Sequence, residues 1–216
     1  MNISPLCILQ ARLRSKRLPG KMLLPFGDET LIARGWRIAC EAFTAEHCVV
    51  AIPKDDEQGP LGRELRRIGA RVLGFNGNDR DVVSRFHFAA HRYRWHPDSV
   101  IVRYTPDDPW KDPAALRMVA SGERLPVEIG GEAFTLAQLD AVHEATKDRP
   151  DDREHLTYVL AVGPVIEAPL GVWTIDTQEE YEACLVKAGL PPSGISAHPA
   201  RFELPEGWRE RVCEER

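Results

Sequence analysis

Apolar and polar positions alternate along the first half of the chain in a way that predicts strands and helices in turn. Four short apolar runs predict buried strands at residues 6–9, 47–52, 71–75 and 99–104. The segments between and after them carry apolar side chains at helical spacing, at residues 30–43, 61–68, 82–93 and 113–120. Because strands that alternate with helices of this length pair in parallel through right-handed crossovers, we expect a layered α/β sheet.

The second half of the chain predicts further elements of the same domain. Its pattern favours two more strands, at residues 126–134 and 171–175. It also favours three helices, at residues 136–146, 153–161 and 178–188. From Pro191 onward, proline and glycine replace the periodic pattern. We therefore expect one Rossmann-like α/β domain over residues 1–190, with a mostly parallel sheet flanked by helices, and an irregular C-terminal tail over residues 191–216 packed on it.

Length and composition support one globular domain and argue against some partners. The 216 residues suffice for one large core, and 43% hydrophobic with 28% charged residues is typical of folded domains. The formal net charge is -5. Because nucleic-acid binding needs a dominant basic surface, the charge argues against a nucleic-acid partner, and any basic function must be local.

The cysteines and the apolar runs bear on the compartment. The five cysteines are odd in number and have no paired spacing, which favours free thiols over disulfides or a zinc site. No run reaches the roughly 18 apolar residues that cross a bilayer. Residues 1–20 carry arginines where a signal peptide would be apolar. We expect a cytoplasmic protein with no membrane partner.

One loop carries most of the candidate chemistry. Ligands of open parallel sheets bind beyond the carboxyl ends of the strands, here after Leu9, Ile52 and Tyr104. The first of these loops holds five cations within ten residues: Arg12, Arg14, Lys16, Arg17 and Lys21. Such a cluster repels itself unless an anion arrives, and a triphosphate suits forked arginine donors and a lysine point charge. The alternative is a solvated basic surface loop.

Two carboxylates stand at strand ends, where they could hold a metal ion. Asp107 follows the strand that ends at Tyr104, and Asp176 stands where a predicted strand meets a helix. Magnesium prefers hard oxygen ligands and needs only one or two protein carboxylates when substrate phosphates supply the others. The alternatives are an Asp-Pro turn at Asp107 and a helix N-cap at Asp176, with Asp112 as the cap of the helix from residue 113.

The basic loop carries a family resemblance. Its sequence, QARLRSKRLPGK over residues 10–21, resembles the RxxSxRLPxK motif of the cytidylyltransferases that activate acidic sugars, including the KDO and acylneuraminate enzymes. It is closer still to the spore-coat polysaccharide branch, although Arg14 replaces a residue that is small in relatives. The resemblance implies a GT-A-like nucleotidyltransferase domain with Arg12 and Lys21 as catalytic residues. It also implies that the nucleotide is held by Gln10, Ala11, Arg12, Ser15, Arg17 and Lys21.

Two further segments resemble the metal-binding strings of that family. The run from Arg103 to Pro113 is similar to RxTGDxPLxDP, with Pro106 in place of the glycine. The Asp-Thr pair that begins at Asp176 is similar to the VDTxEDL segment. The resemblance implies that Asp107 and Asp176 bind Mg²⁺ as the cofactor.

Shorter strings suggest where base and acceptor bind. Residues 76–86 are similar to GSxDDVLxRF, which implies that Asp81 and Arg85 lie near base and ribose. An ordinary helix face with an aspartate at its start is the alternative. Residues 132–134 and 152–157 are similar to the ExF and DREHVT strings, which implies that Glu132 and His155 contact the acceptor. A histidine that is simply packed is the alternative for His155.

The resemblance as a whole implies transfer of CMP from CTP to a sugar or sugar acid, with release of pyrophosphate. The chain is shorter than relatives around residues 120–132 and 160–171, which help to shape the acceptor pocket. Three alternatives stay open: a non-catalytic protein that binds nucleotide or nucleotide-sugar, a glycosyltransferase that uses a sugar-nucleotide, and a transferase that uses another triphosphate. The adjacent Asp107 and Asp108 do not form the DxD pair of such glycosyltransferases. A homodimer is also left open.

Overall fold

A five-stranded sheet organises the chain. The computed structural model describes residues 4–94, 96–154, 156, 166, 168 and 173–196. The strands are β1 (Leu6–Gln10), β2 (Pro25–Phe26), β3 (Glu29–Thr30), β4 (Cys48–Pro53), β5 (Val72–Phe75), β6 (Val100–Tyr104) and β7 (Glu132–Thr135). The main sheet has the order β5-β4-β1-β6-β7, and β2 pairs with β3 in a separate hairpin. Only β7 runs antiparallel to its neighbour within the main sheet.

Helices follow the strands in alternation. They are α1 (Leu31–Phe43), α2 (Pro60–Arg67), α3 (Val82–Tyr93), α4 (Pro113–Ala120), α5 (Val127–Gly130), α6 (Leu136–Ala145) and α7 (Gln178–Lys187). Four one-turn 3-10 helices punctuate the loops at Lys21–Leu23, Ala45–His47, Lys54–Asp56 and Pro150–Arg153. The mostly parallel sheet with flanking helices confirms the predicted fold class.

Strand β1 lies at the centre because its side chains are apolar on both faces. Cys7 and Leu9 point into a cluster with residues of α1, α2 and α4, whereas Leu6 and Ile8 point into a cluster with residues of α3 and α6. All four side chains are fully buried. A strand covered on both faces reads as a continuous apolar run, which is why residues 6–9 were recognisable in the sequence.

Side-chain caps fix where several helices begin. The Asp112 carboxylate accepts a hydrogen bond from Ala115 N at 2.8 Å, which confirms the predicted cap of α4. Asp81 Oδ1 accepts one from Ser84 N at 2.8 Å at the start of α3. These caps place both helix N-termini directly after loops at the carboxyl edge of the sheet.

The prediction of one strand over residues 126–134 was wrong. Residues 127–130 form the single helical turn α5, and the chain then reverses at Gly131 into the antiparallel strand β7. Gly131 has φ 70° and ψ -159°, a conformation that side chains strongly disfavour. The reversal gives β7 its direction, so this edge of the sheet departs from the parallel pattern.

The strand predicted over residues 171–175 was also wrong for its described part. Residues 173–175 lie outside any strand and are tied to the loop after β6 by hydrogen bonds from Ile175 N to Asp107 O at 2.8 Å and from Thr174 Oγ1 to Asp108 Oδ1 at 2.6 Å. Of the helix predicted over residues 153–161, Arg153 instead ends a 3-10 helix, Glu154 follows in a bend, and Leu156 is helical. The other residues of both ranges lie outside the described residues.

The sequence pattern did not predict the β2–β3 hairpin. The beginning of the predicted tail packs on this hairpin. Gly27 N donates to Gly194 O at 2.8 Å, and Ser196 N donates to Gly27 O at 3.0 Å. Residues 197–216 lie outside the described residues, so the division into a domain and a tail stays a prediction. Among the helices described, none has the length and apolar character needed to cross a bilayer.

Substituting Gly131 should destabilise the protein more than substituting another positive-φ glycine. An added Cβ at Gly131 would lie 2.6 Å from Arg103 O, whereas at Gly122, with φ 96°, it would meet nothing within 4 Å. We expect Gly131→Ala to lower the free energy of unfolding by about 3 kcal/mol and Gly122→Ala by about 1 kcal/mol. Urea denaturation of the two variants measures both values, and equal losses would contradict the assigned turn.

Candidate active site

The basic loop after β1 is fixed by backbone hydrogen bonds. Gly20, in the left-handed region at φ 74°, donates its N–H to Leu13 O at 2.9 Å. Leu13 N in turn donates to the buried Asp56 Oδ2 at 3.0 Å. Asp56 belongs to the loop after β4, so these bonds tie the first two strand-end loops together. The loop is therefore a shaped part of the sheet edge, which does not fit a freely solvated basic segment.

Lys21 lies between the two predicted metal carboxylates. Its Nζ donates to Asp107 Oδ2 at 2.5 Å and to Asp176 Oδ1 at 2.8 Å. A third hydrogen bond, to Ile175 O at 3.0 Å, fills its remaining donor position. The Lys21 side chain is only 10% exposed. Three residues that are distant in sequence thus meet at one point.

The pKa values in this cluster follow from the contacts. Burial lowers the pKa of Lys21, but the charges and hydrogen bonds of Asp107 and Asp176 outweigh it and raise the pKa above its usual value. Burial raises the pKa of Asp176, but Lys21 and Arg17 together hold it below its usual value. Lys21 therefore remains an ammonium group and Asp176 a carboxylate at neutral pH.

Asp176 does not cap α7, so its carboxylate is directed into the site. The cap is Thr177, whose Oγ1 accepts from Glu180 N at 3.2 Å while Glu180 Oε2 accepts from Thr177 N at 2.9 Å. Asp176 Oδ2 instead accepts from Arg17 Nη2 at 2.5 Å. The capping alternative for Asp176 was wrong. The Arg17 side chain is 64% exposed and can move toward a ligand.

The adjacent aspartates after β6 have separate tasks. Asp108 is buried, where it accepts hydrogen bonds from Lys111 Nζ at 2.7 Å and Thr174 Oγ1 at 2.6 Å, and also from Thr105. Burial raises its pKa above the usual value, although Lys111 opposes the shift. Asp107 faces Lys21 instead. Asp107 therefore differs from Asp108 in its partners, and its contact with a metal stays a prediction.

Three more predicted nucleotide-binding residues, Ala11, Arg12 and Ser15, follow β1 but lie outside the Lys21 cluster. Arg12 donates to Glu154 Oε1 at 3.3 Å and to Asp79 O at 3.4 Å. Ser15 Oγ accepts from Leu18 N at 3.4 Å and so shapes the loop. Ala11 is buried, with its N–H donated to Ala51 O. Their contacts with a nucleotide stay predictions.

A cavity of about 250 Å³ opens beside the basic loop. It is lined by the exposed Arg14, by the loop after β4 and by the loop after β5, including Asp55, Asp56, Asn76 and Asp79. The sequence pattern marked the loop after Ile52 as a ligand position but identified no residue in it. The polar run that directly follows the apolar strand was the signal for these residues.

Arg85 is a buried cation with no direct partner in the described part of the chain. It is 0% exposed, and Nε, Nη1 and Nη2 have no hydrogen-bond partner there. Burial and then the charge of Arg12 lower its pKa to about 10, while Asp79, Asp56 and Asp81 oppose the shift. Since an unpaired buried charge is costly, Arg85 is a candidate for pairing with a bound anion.

Asp81 has structural contacts already. Besides capping α3, Asp81 Oδ1 accepts from Arg153 Nε at 3.0 Å. Arg153 also donates to Ser84 Oγ at 2.5 Å, so the two residues connect the start of α3 to the segment after α6. Asp81 therefore has the structural role of an aspartate that caps a helix, which was the alternative to a binding role. Its contact with a nucleotide stays a prediction.

Of the two predicted acceptor residues, the structure describes only Glu132. Glu132 on β7 contacts Arg103 Nη1, and Arg103 Nε donates to Gln10 Oε1 at 3.4 Å. This row connects the end of β1 to the sheet edge, and Arg103 was not singled out in the sequence. His155 lies outside the described residues. Glu132 therefore reaches the edge of the site through Arg103.

A basic loop, two converging carboxylates and a polar cavity at the carboxyl ends of parallel strands define a protein of the nucleotidyltransferase class. The family comparison specifies which one: the chain belongs to the cytidylyltransferase family, whose profile matches residues 6–187. This membership confirms the resemblance carried by the basic loop.

Individual relatives agree with the family and the fold. The chain is 29% identical over 217 residues to the spore coat polysaccharide biosynthesis protein SpsF of Bacillus subtilis (strain 168), covering 87% of this chain and 88% of that protein. A cytidylyltransferase structure from Leptospira borgpetersenii serovar Hardjo-bovis (strain JB197) has a TM-score of 0.72 at 23% identity, covering 99% of this chain and 95% of that one. CMP:2-keto-3-deoxy-manno-octonic acid synthetase complexed with CTP has a TM-score of 0.65 at 14% identity, covering 87% and 100%.

Replacing Arg85 should separate stability from binding. Arg85→Met removes an unpaired buried charge at similar side-chain length, so we expect the free energy of unfolding to rise by about 1 kcal/mol or more. If Arg85 binds the nucleotide as predicted, the same change should weaken CTP binding about tenfold or more, because a charged hydrogen bond would be lost. Urea denaturation and calorimetry measure the two effects, with exposed Arg92→Met on the same helix as control. Lower stability with unchanged CTP affinity would show that Arg85 pairs within the protein.

Proposed function

We propose that this chain transfers CMP from CTP to a sugar or sugar-acid acceptor and releases pyrophosphate. The single observation that supports it most is the convergence of Lys21, Asp107 and Asp176 beside a polar cavity. Phosphoryl chemistry of this kind needs positioning and charge neutralisation more than a covalent nucleophile. The contacts of these residues supply both.

Asp107 and Asp176 are proposed as the residues that would hold Mg²⁺. Their oxygens already reach one cationic atom, Lys21 Nζ, at 2.5 and 2.8 Å, so they converge on one point from two loops. Two carboxylates are the hard-oxygen donor set that Mg²⁺ takes when phosphates supply further ligands. When bound, the ion would neutralise charge on the phosphate oxygens.

The cations of the basic loop are proposed to bind the triphosphate. Lys21 keeps its proton because its pKa is raised, and it carries a full charge to the phosphates. The exposed Arg17 side chain pairs with the half-buried Asp176 carboxylate and can turn to a phosphate with its forked donors. An acceptor oxygen then attacks the α-phosphorus, and the bond to the bridging oxygen of the β-phosphate breaks as pyrophosphate leaves. Arg17 and Lys21 offset the negative charge that develops on the leaving group.

The cavity lined by the loops after β4 and β5 is proposed as the site of base and ribose. Its polar lining includes Asp55, Asn76 and Asp79, which offer several acceptors and amide donors for a pyrimidine or its ribose. Arg12 and Arg85 lie close to the lining residue Asp79, because Arg12 Nη1 donates to Asp79 O at 3.4 Å and the charge of Asp79 acts on Arg85. Gln10, Ala11, Ser15 and Asp81 complete this part of the proposal.

The acceptor is proposed to contact Glu132, which lies on the edge strand β7, and His155. The segment before β7 contains only the short helix α5 between Ser121 and Glu132, so it adds little wall there. We therefore propose a broad acceptor choice that includes sugar acids. The cytoplasmic location and the homodimer stay predictions.

Removing the Lys21 ammonium group should weaken nucleotide binding. A charge-assisted contact with a phosphate contributes about 1.5–3 kcal/mol, so Lys21→Met should reduce CTP affinity about tenfold or more. Calorimetry of CTP binding measures the change, with Lys147→Met as control because Lys147 is exposed and pairs with Glu144 in a surface contact. If the folded Lys21→Met variant bound CTP with unchanged affinity, the basic loop would not be part of the nucleotide site.

Catalysis is tested by pyrophosphate release. We expect release with CTP, and not with ATP, GTP or UTP, when Mg²⁺ and a suitable sugar or sugar acid are present. The acceptor panel should include six-carbon and nine-carbon sugar acids together with neutral and phosphorylated sugars. If CTP binds but no acceptor yields pyrophosphate above background, even at high enzyme concentration, the chain is a nucleotide-binding protein without turnover. The exposed Arg14 at the cavity rim is the feature that favours this second candidate.

A further inference from the structure

A group of imidazole rings lies on the outer faces of α3 and α6, which the proposed reaction does not use. His87 and His91 stand one turn apart on α3, and Asp140 and His143 stand on α6. His91 Nε2 lies 2.6 Å from Asp140 Oδ1, and His87 Nε2 lies 3.3 Å from the same oxygen. The ligand atoms of His87, His91 and Asp140 all lie within 4.8 Å of one another.

This spacing suits a transition-metal ion. Two histidines at i and i+4 on one helix direct their nitrogens to a common point, and a carboxylate from a second helix completes three ligands. Around a tetrahedral ion with bonds of about 2.0–2.1 Å, ligand atoms stand about 3.3 Å apart. The 3.3 Å pair already has that separation, and the 2.6 Å pair needs to open by less than about 1 Å.

The ring of His87 is held in place by its neighbours. It stacks on the His143 ring with centroids 4.0 Å apart and planes at 15°. His143 Nε2 lies 3.3 Å from Ser84 Oγ, which anchors the stacked ring to the start of α3. These two contacts fix the orientation of the His87 ring beside His91 and Asp140.

We propose that His87, His91 and Asp140 form a binding site for a divalent transition-metal ion of the zinc class. Two nitrogens and one carboxylate give a donor set that Mg²⁺, with its preference for oxygen, does not favour. The site is therefore selective against the ion proposed for Asp107 and Asp176. Three protein ligands leave a fourth position for water, and the ion connects α3 to α6.

The expected binding behaviour is distinct from that of the nucleotide site. Titration of the full chain with Zn²⁺, in millimolar Mg²⁺ and without CTP, should give one tight site and a higher Tm. Replacement of one ligand, in His91→Gln or Asp140→Asn, should weaken Zn²⁺ binding about 100-fold or more and abolish the Tm rise. Co²⁺ in place of Zn²⁺ should give a visible absorption band that both variants lose.

Matched controls separate this site from other zinc-binding groups. His96→Gln should keep full affinity, because His96 is an exposed histidine 3.9 Å from Asp98 and belongs to no such group within the described part of the chain. CTP affinity should be unchanged in His91→Gln, so failure of this proposal is distinguishable from failure of the proposed reaction. Equal Zn²⁺ affinity in the wild type, His91→Gln and Asp140→Asn would overturn the site and assign the ion to other groups, such as the Cys40 thiol. Zn²⁺ binding no tighter than millimolar in the wild type would overturn it as well.

Discussion

The ammonium group of Lys21, held between the carboxylates of Asp107 and Asp176, is the contact on which the site depends. The carboxylates arrive from the loop after β6 and from the turn before α7, and without a cation between them they would repel each other. A buried charge pair is stable only when its partners are well placed and fully hydrogen-bonded, and the third bond to Ile175 O meets that condition. In the proposed reaction, a divalent ion and a triphosphate would replace this one cation among the same groups.

The central position of β1 makes this arrangement possible. β1 lies between β4 and β6, so the loop that follows it is flanked by both neighbouring strand ends. Asp56 holds that loop on the β4 side through Leu13 N, while Lys21 meets Asp107 on the β6 side. The buried network of Asp108, Lys111 and Thr174 then fixes the orientation of the β6 loop. Arg85 differs from Lys21, because its buried guanidinium has no hydrogen-bond partner in the described part of the chain.

The parts of the fold that could be predicted are those in which local pattern and burial agree. Strands covered on both faces and helices with one apolar face gave clear signals from Leu6 to Ala120. The region after Ala120 was predicted less well, because α5 is a single turn whose ending depends on the backbone conformation of Gly131. The strands β2 and β3 of the hairpin are too short to show an alternation of apolar and polar residues. The residues that contact the hairpin, Gly194 and Ser196, are distant in sequence.

The candidate site shows the same division. The basic loop and Asp107 were visible as a motif, but the choice between cap and site for Asp176 needed the observation that Thr177 caps α7. The cavity residues of the β4 and β5 loops come together only in three dimensions. His87 and His91 show their helical spacing in the sequence, whereas the approach of Asp140 depends on how α6 packs against α3. The pattern of apolar and polar residues does not show which distant elements contact each other.

The central claim is that Asp107 and Asp176 exchange the Lys21 ammonium group for a divalent ion when CTP binds. A crystal structure of the chain with CTP and Mn²⁺, recorded with anomalous scattering from manganese, tests this most directly. We expect one anomalous peak within bonding distance of both carboxylates and the triphosphate, with Lys21 Nζ moved onto a phosphate oxygen. Manganese bound elsewhere, with Lys21 still between the two carboxylates and CTP in place, would contradict the claim.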